Sequence, residues 1–238
     1  MSTEQVVIIG GSSGIGFATA RQLLGLGFKV TIAGRSVQRL DAAKNSLHGE
    51  FRAIALDATD AASIRAAFDN IGPFDHLVLA LGSTKGGGDF ATVSLDQVRS
   101  GFEEKVFAHF SSAQAALPFL RQGGSITFIS AVTAHAAMPG TAGIGAANAA
   151  VAALVPTLAA ELKPLRVNGV SPGVIDTPWW DFFAQEQKTS VFADYAAKTP
   201  VGRVGQPDDV AQAIVFLIRD SFVTGHTLIC DGGIRLAG

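Results

Sequence analysis

The segment GGSSGIG at residues 10–16 carries glycines in the spacing GxxxGxG, at Gly10, Gly14 and Gly16. It follows the apolar run VVIIG and precedes residues with helical spacing. Glycine lets backbone approach a pyrophosphate closely, and the N–H groups at the start of a helix near Gly14 stabilise phosphate charge. A strand, a glycine turn and a helix at the first βα junction predict a dinucleotide site. Its expected members are Gly10, Ser12, Ser13, Gly14, Ile15 and Gly16; the alternative is a tight turn without a ligand.

The second apolar run ends in Gly34-Arg35-Ser36, at the position where an NAD site usually places a carboxylate for the ribose 2′-hydroxyl. A guanidinium at Arg35 can instead clamp a 2′-phosphate. We therefore expect NADP(H) to be preferred over NAD(H), with Ser12 and Ser36 nearby; the alternative is a solvated surface arginine. Asp57 and Ala58 end the third run, and Asp57 is expected to accept a hydrogen bond from the adenine amino group.

The elements that must position these residues are short apolar runs alternating with helix-length segments. The runs are near-continuous rather than alternating, which is typical of parallel strands covered on both faces. The pattern predicts an α/β fold, a Rossmann-like doubly wound parallel sheet of about seven strands with helices on both faces, as one domain over residues 1–238. The expected strands are 6–10, 29–34, 51–56, 76–81, 125–130, 166–171 and 226–230.

Residues 176–200 form the longest segment expected to be irregular. It contains both tryptophans, three phenylalanines and the only tyrosine, Tyr195. A long aromatic insertion between a strand and a helix favours a lid over a small-molecule substrate.

Composition excludes several classes of partner. The net charge is −2 and there is no basic run, so neither nucleic acid nor an anionic membrane is expected. The longest apolar tract is interrupted by Pro156 and predicts a buried helix rather than a membrane span. A single cysteine, Cys230, and an N-terminus without signal-peptide character predict a cytoplasmic protein. No metal site is expected.

Several motifs, in the right order along nearly the whole chain, resemble the short-chain dehydrogenase/reductase family. They are GGSSGIG (10–16), DHLV followed by LALG (75–82), RVNGVSPGVIDTP (166–178), GRVGQPDDVAQAIVFL (202–217) and TGHTLICDGG (224–233). The resemblance implies that Gly82 lies at the cofactor and that Pro172, Gly173, Ile175 and Thr177 hold the nicotinamide end. It also implies a homodimer or homotetramer.

The resemblance breaks at the residues that carry the family's chemistry. Its asparagine, serine, tyrosine and lysine positions hold Lys105, Ala131, Ile144 and Asn148. An isoleucine cannot donate a proton. Asn148 can still form a hydrogen bond with the nicotinamide ribose, but it lacks the positive charge of the family's lysine. Ser130, one residue early, replaces the serine only if the strand end bulges, because successive strand side chains point to opposite faces.

Three other residues are candidates for polar assistance. Lys105 and His109 share one face of a predicted helix. If that helix lines the pocket as it does in the family, a desolvated Lys105 could donate a proton or bind an oxyanion; its acidic neighbours equally favour a solvated lysine. His135, in the loop after the fifth strand, could donate to a substrate oxygen or lie on the surface. Tyr195 could donate a proton, although packing against the substrate is the commoner use of a lid aromatic.

These residues predict an NADPH-dependent reductase of activated carbonyl compounds, such as quinones or diketones, without the usual tyrosine acid. Lys105, Ser130, His135 and Asn148 are the candidates for its catalytic groups. The alternative is a non-catalytic NADPH-binding protein, acting as a sensor or as the silent partner in an oligomer. Non-redox chemistry on the same fold is a third possibility.

Overall fold

The computed structural model describes residues 4–237 and contains one seven-stranded sheet in the order β3-β2-β1-β4-β5-β6-β7. All neighbouring strands are parallel. The predicted doubly wound sheet is confirmed. The strands are β1 (Gln5–Ile9), β2 (Lys29–Gly34), β3 (Phe51–Ala55), β4 (Phe74–Leu79), β5 (Leu120–Ile129), β6 (Arg166–Pro172) and β7 (Thr227–Cys230).

Helices cover both faces of the sheet, which explains why the central strands are apolar at successive positions. In β1, Val6 and Ile8 pack into one core cluster, while Val7 and Ile9 pack into the other. Eight α-helices are assigned within residues 4–237: α1 (Gly14–Gly25), α2 (Val37–Lys44), α3 (Ala61–Ile71), α4 (Leu95–Phe102), α5 (Ala108–Ala116), α6 (Ala142–Glu161), α7 (Gln185–Lys198) and α8 (Pro207–Arg219).

The strand order reverses between β1 and β4, since β2 and β3 extend the sheet to one side and β5 to β7 to the other. In such sheets a crevice opens at the carboxyl ends of the strands on either side of the reversal. The fold therefore brings together the ends of β1, β4, β5 and β6.

The structure corrects two expectations about local structure. Much of residues 176–200 is ordered as α7 rather than irregular, so the aromatic insertion is a short loop followed by a helix. Strand β5 begins at Leu120, five residues before the predicted start.

Helix α6 is long and apolar enough, by length and composition, to cross a membrane. In the fold it packs on the sheet through Ala147, Asn148, Val151 and Val155. It is therefore an element of the α/β domain.

Candidate active site

A cavity of about 680 Å³ opens at the carboxyl ends of β1, β4, β5 and β6. It brings together all of the predicted site residues except His135, which is exposed and does not line it. The predicted residues along its wall are Gly10, Ser12, Ser13, Gly14, Ile15, Gly16, Arg35, Ser36, Asp57, Ala58, Gly82, Lys105, Ser130, Asn148, Pro172, Gly173, Ile175 and Thr177.

In the glycine turn the backbone packs so closely that only glycine fits at two positions. No side chain at these positions stands between the backbone and a phosphate group. A Cβ on Gly10 would lie 2.3 Å from the carbonyl oxygen of Ala80, and one on Gly16 would lie 2.2 Å from that of Gly10. Helix α1 begins at Gly14, as predicted, and the hydroxyl of Ser13 does not cap it. Its first N–H groups therefore face the cavity without a side-chain cap, a geometry that suits a pyrophosphate.

Two arginines and a helix start line the end of the cavity nearest β2. Arg35 and Arg39 are both exposed and both line it. Between them Ser36 caps α2 by accepting a hydrogen bond from the backbone N–H of Arg39 at 3.2 Å. Two guanidinium groups beside a helix N-terminus form an environment that favours a phosphate dianion.

Asp57 lies on the same side of the cavity. Its Oδ1 accepts hydrogen bonds from the backbone N–H of Thr59 at 3.0 Å and from the Thr59 hydroxyl at 2.7 Å. These bonds, backbone first, hold the pKa of Asp57 below its ordinary value. The carboxylate is thus fixed as an acceptor.

Asn148 presents an unsatisfied acceptor at the other end of the cavity. Its amide nitrogen donates to the Thr133 hydroxyl at 3.1 Å and to the Ile144 carbonyl at 3.0 Å. A carbonyl only accepts, so this contact fixes the amide orientation. Oδ1 is buried and has no hydrogen-bond partner among the described residues. A ribose hydroxyl would satisfy it, so this end of the cavity fits the sugar of a dinucleotide.

Lys105 is buried, with 7% of its surface exposed, which answers the question of whether it is solvated. Its Nζ donates to the carbonyl oxygens of Leu81 at 2.9 Å and Ile129 at 2.8 Å, and at 3.5 Å to that of Ser130. Burial lowers the pKa of Lys105 to about 7. Three carbonyl oxygens around the nitrogen match the three N–H donors of the ammonium form. The third contact is long, so that N–H is the one most easily redirected to another acceptor.

A π-helical turn, Glu103–Phe107, carries Lys105 between α4 and α5. Within it the backbone N–H of Ala108 donates to Glu103, five residues earlier. Such turns insert one residue into a helix and often occur at functional sites.

His109 is fully buried just below Lys105. Its Nδ1 lies 2.6 Å from the carbonyl oxygen of Lys105, and its Nε2 lies 3.1 Å from that of Leu79. Burial, with the nearby charge of Lys105 second, lowers the pKa of His109 to about 3. The ring is therefore neutral at physiological pH, and we assign its single proton to Nδ1, where the contact is shorter.

Ser130 and Ala131 both line the cavity, at the end of β5. The hydroxyl of Ser130 is 3.5 Å from the carbonyl oxygen of Val170, to which it donates, and its backbone N–H donates to the same oxygen. The hydroxyl is thus directed at β6.

The aromatic residues after β6 form one wall of the cavity through Trp179, Trp180, Phe182 and Tyr195. Trp179 contacts Trp180 edge-on at 4.7 Å and Phe182 edge-on at 5.4 Å between ring centroids. Residues 176–200 thus contribute side chains to the cavity wall, and most of the segment is helical. That it acts as a lid stays a prediction.

Sequence reasoning missed Arg39, Met138 and Thr133 among the lining residues. Arg39 lies one helical turn after Arg35, a spacing that could have indicated it once α2 was placed. No pattern in the sequence indicates Met138 or Thr133, because their positions depend on the path of the loop between β5 and α6. In the part of the chain from 4 to 237, no group of three or more His, Cys, Asp or Glu side chains could hold a metal ion.

Comparison with known proteins gives concordant results. The family described as "Enoyl-(Acyl carrier protein) reductase" matches residues 10–235. "Carbonyl reductase family member 4" of Xenopus laevis is 30% identical over 96% of this chain and 97% of its own length.

Two solved structures extend the comparison. A small-chain dehydrogenase in complex with NADPH is 31% identical, with a TM-score of 0.85, over 99% of this chain and 100% of the other. A short-chain oxidoreductase from Pseudomonas aeruginosa PAO1 "containing an atypical catalytic center" is 30% identical, with a TM-score of 0.88, over 97% of this chain and 96% of the other.

Proposed function

Because the chain belongs to the short-chain dehydrogenase/reductase family, a family of oxidoreductases, we propose that it uses NADPH to reduce activated carbonyl compounds such as quinones and 1,2-diketones. The observation that carries this proposal is the buried amine of Lys105 on the cavity wall. It supplies a polar, protonatable group to a site in which the resemblance aligns apolar residues, Ile144 and Ala131, with the family's tyrosine and serine.

The preference for NADPH is supported by the charges at the β2 end of the cavity. Arg35, Arg39 and the capped start of α2 would together bind a 2′-phosphate, and position 35 offers no carboxylate to a 2′-hydroxyl. The NADPH complex of the similar small-chain dehydrogenase is consistent with this choice.

NADPH, when bound, supplies the hydride for the reduction. Asn148 would accept a hydrogen bond from the nicotinamide ribose through its unsatisfied Oδ1. Lys105 would stabilise the oxyanion that develops on the substrate. It would then donate a proton to that oxyanion from the N–H that makes the long contact with the Ser130 carbonyl oxygen. Ser130 and the exposed His135 have no defined role in this scheme.

Activated carbonyls are favoured because the site lacks a tyrosine at position 144. Reduction of a simple ketone produces a strongly basic alkoxide that needs a proton at once, whereas a quinone or diketone gives an anion that is already stabilised. General acid–base assistance contributes about 10²–10⁴ in rate, so its partial loss is tolerated where the product anion is stable.

A panel assay that follows NADPH absorbance tests the proposal. We expect turnover of 1-phenyl-1,2-propanedione and of an o-quinone at least about 100-fold faster than that of cyclohexanone, in proportion to the missing acid. Binding of NADPH without turnover of any quinone or diketone would contradict it.

The alternative function is that of a non-catalytic NADPH-binding protein, and one observation favours it. The Nζ of Lys105 already donates to three backbone carbonyl oxygens, so its N–H groups have a structural use that requires no substrate. The alternative predicts that Ile144→Tyr combined with Asn148→Lys creates activity in a protein that otherwise has none, and that Lys105→Ala changes nothing.

Two broader properties belong to the same proposal. Exposed Phe107 and Phe110, together with the largely exposed apolar helix α6, support a homodimer or homotetramer. The cytoplasm, where thiols stay reduced, suits a chain whose single cysteine, Cys230, is free.

A further inference from the structure

We infer that the substrate end of the cavity recognises a flat aromatic ring that bears the reducible carbonyl. This inference rests on the proposed function and narrows its substrate class. It is carried by the aromatic wall of the cavity, which consists of Trp179, Trp180, Phe182 and Tyr195.

Backbone hydrogen bonds fix both indole rings of this wall. Nε1 of Trp179 donates to the carbonyl oxygen of Ser83 at 2.9 Å, and Nε1 of Trp180 donates to that of Ile175 at 3.0 Å. Both N–H groups are therefore occupied by protein. The indole surface left for a ligand consists of π-faces and C–H edges, which bind aromatic rings in stacked or edge-on geometry.

The aromatic wall is also held in place before any substrate arrives. Lys188 on α7 forms an ion pair with Asp176 at 2.9 Å and lies 5.3 Å from the centroid of the Phe192 ring. Only 16% of the Lys188 side chain is exposed, so α7 is attached to the end of β6 by a largely shielded contact. A preorganised wall loses little conformational freedom on binding.

More than half of the surface of Phe182 is left uncovered by residues 4–237. It contacts Trp179 edge-on and Phe183 at 4.4 Å between ring centroids, yet 57% of its surface is exposed. Met138 and Ile144 add apolar groups to the lining of the cavity, which also contains polar ones such as Thr133, Thr141 and Glu104. An aliphatic substrate would gain only the burial of its area here, whereas an aromatic one would also gain ring–ring contacts.

A matched pair of ligands isolates the aromatic term. The compounds 1-phenyl-1,2-propanedione and 1-cyclohexyl-1,2-propanedione carry the same dione on rings of equal carbon number, one flat and one puckered. With protein saturated with NADP⁺ neither can be reduced, so calorimetric titration measures binding alone. We expect the phenyl compound to bind about twofold to tenfold more tightly, the range that aromatic pairing adds beyond area.

Phe182→Leu and Phe222→Leu form a matched pair of variants. Phe222 is 97% exposed and does not line the cavity, so its replacement should leave the phenyl-to-cyclohexyl affinity ratio unchanged. Phe182→Leu should bring the ratio towards one, and so should Trp179→Leu, which tests the wall from a second position.

Each outcome separates this inference from the proposed function. A clear phenyl preference without NADPH oxidation would support ring recognition and overturn the reductase proposal. Turnover of both diones with an affinity ratio of one would support the reductase proposal and overturn ring recognition. Failure of either dione to bind, or a ratio unaffected by both Phe182→Leu and Trp179→Leu, would overturn the inference.

Discussion

At the scale of single residues, the resemblance predicts a site whose positive charge originates at a different position than in the rest of the family. The family's pattern places a lysine at the position of Asn148, on α6, whereas here the buried amine belongs to Lys105, between α4 and α5. Carbonyl oxygens of Leu81 and Ile129 hold that amine close to the ends of β4 and β5. On this prediction, the chain supplies the protonatable amine of the cavity from another element.

The pH dependence of the reaction tests whether this amine is the acid. Burial lowers the pKa of Lys105 to about 7, and only the protonated form can donate. The kcat for dione reduction should therefore be highest below about pH 7 and decrease as the pH rises through that value, approaching about tenfold per unit. Steady-state rates from pH 5.5 to 9, at saturating NADPH, check this. A profile that is flat over the whole range would exclude Lys105 as the titrating acid.

The two arginines at the β2 end should determine which dinucleotide binds. Arg35→Ala and Arg39→Ala should each weaken NADPH binding by about 10–100-fold, because each removes a charge-assisted hydrogen bond to the 2′-phosphate. NADH affinity should change much less. Fluorescence titration with both dinucleotides measures this, with Arg52→Ala as control, since Arg52 is engaged with Asn70. Equal losses for NADPH and NADH would show that neither arginine reads the phosphate.

At the scale of elements, the π-turn and His109 together position Lys105. The ring donates to the backbone of Lys105 at 2.6 Å and packs at 6.0 Å on the ring of Phe128 in β5. It therefore joins the turn that carries the amine to the strands whose carbonyl oxygens receive it.

Replacement of His109 should damage both stability and rate. His109→Leu leaves the carbonyl of Lys105 without its buried side-chain donor, which should lower the free energy of unfolding by about 1–3 kcal/mol. His109→Asn keeps a donor near the position of Nδ1 and should lose less. Urea unfolding and kcat for both variants check the order. A Leu variant as stable as the Asn variant would mean that the hydrogen bond contributes nothing.

The elements differ in how far their sequences predicted them. The apolar runs of β1 and β2 are buried on both faces, so their composition alone identified them. Helix α7 was not recognised because none of its residues is fully buried. Its sequence therefore does not repeat apolar residues at helical spacing. The sequence left the burial of Lys105 open, because the resemblance favoured a buried lysine and its acidic neighbours a solvated one, and nothing in the sequence indicated the π-turn that carries it.

At the scale of the whole molecule, one side of the fold carries apolar side chains that residues 4–237 do not cover. Phe107 is 52% exposed and Phe110 is 48% exposed, on the same side of the helix. Only 28% of the apolar window of α6 is buried within the fold. Exposed apolar side chains of this kind favour a contact with another molecule.

A second copy of the chain is the expected partner at this surface. Phe107→Glu combined with Phe110→Glu should convert the oligomer to a monomer, because two carboxylates cannot be buried unpaired in an apolar interface. Sedimentation analysis measures the change, with Val37→Glu, an exposed position on α2, as control. A wild-type protein that is monomeric at high micromolar concentration would refute this expectation.

The arrangement of the whole molecule was the most predictable part of it. Motif order and βα repetition predicted the doubly wound parallel sheet, and its observed strand order places the ends of β1 and β4 beside a cavity. The glycine turn, Arg35 and Asn148 could be assigned to that cavity for the same reason. The orientation of Trp179 and Trp180 could not be predicted. The backbone acceptor of Trp179 is 96 residues away in the sequence, and that of Trp180, five residues away, follows no regular hydrogen-bond pattern.

The most direct test of the central claim is the kcat of Lys105→Met for NADPH-dependent reduction of 1-phenyl-1,2-propanedione. Lys29→Met is the matched control, because Lys29 lies at the opposite end of β2 and pairs with Glu50. We predict a loss of about 10²–10⁴ in kcat for Lys105→Met, with NADPH affinity unchanged, and no loss for Lys29→Met. Full activity in folded, NADPH-binding Lys105→Met would contradict the account.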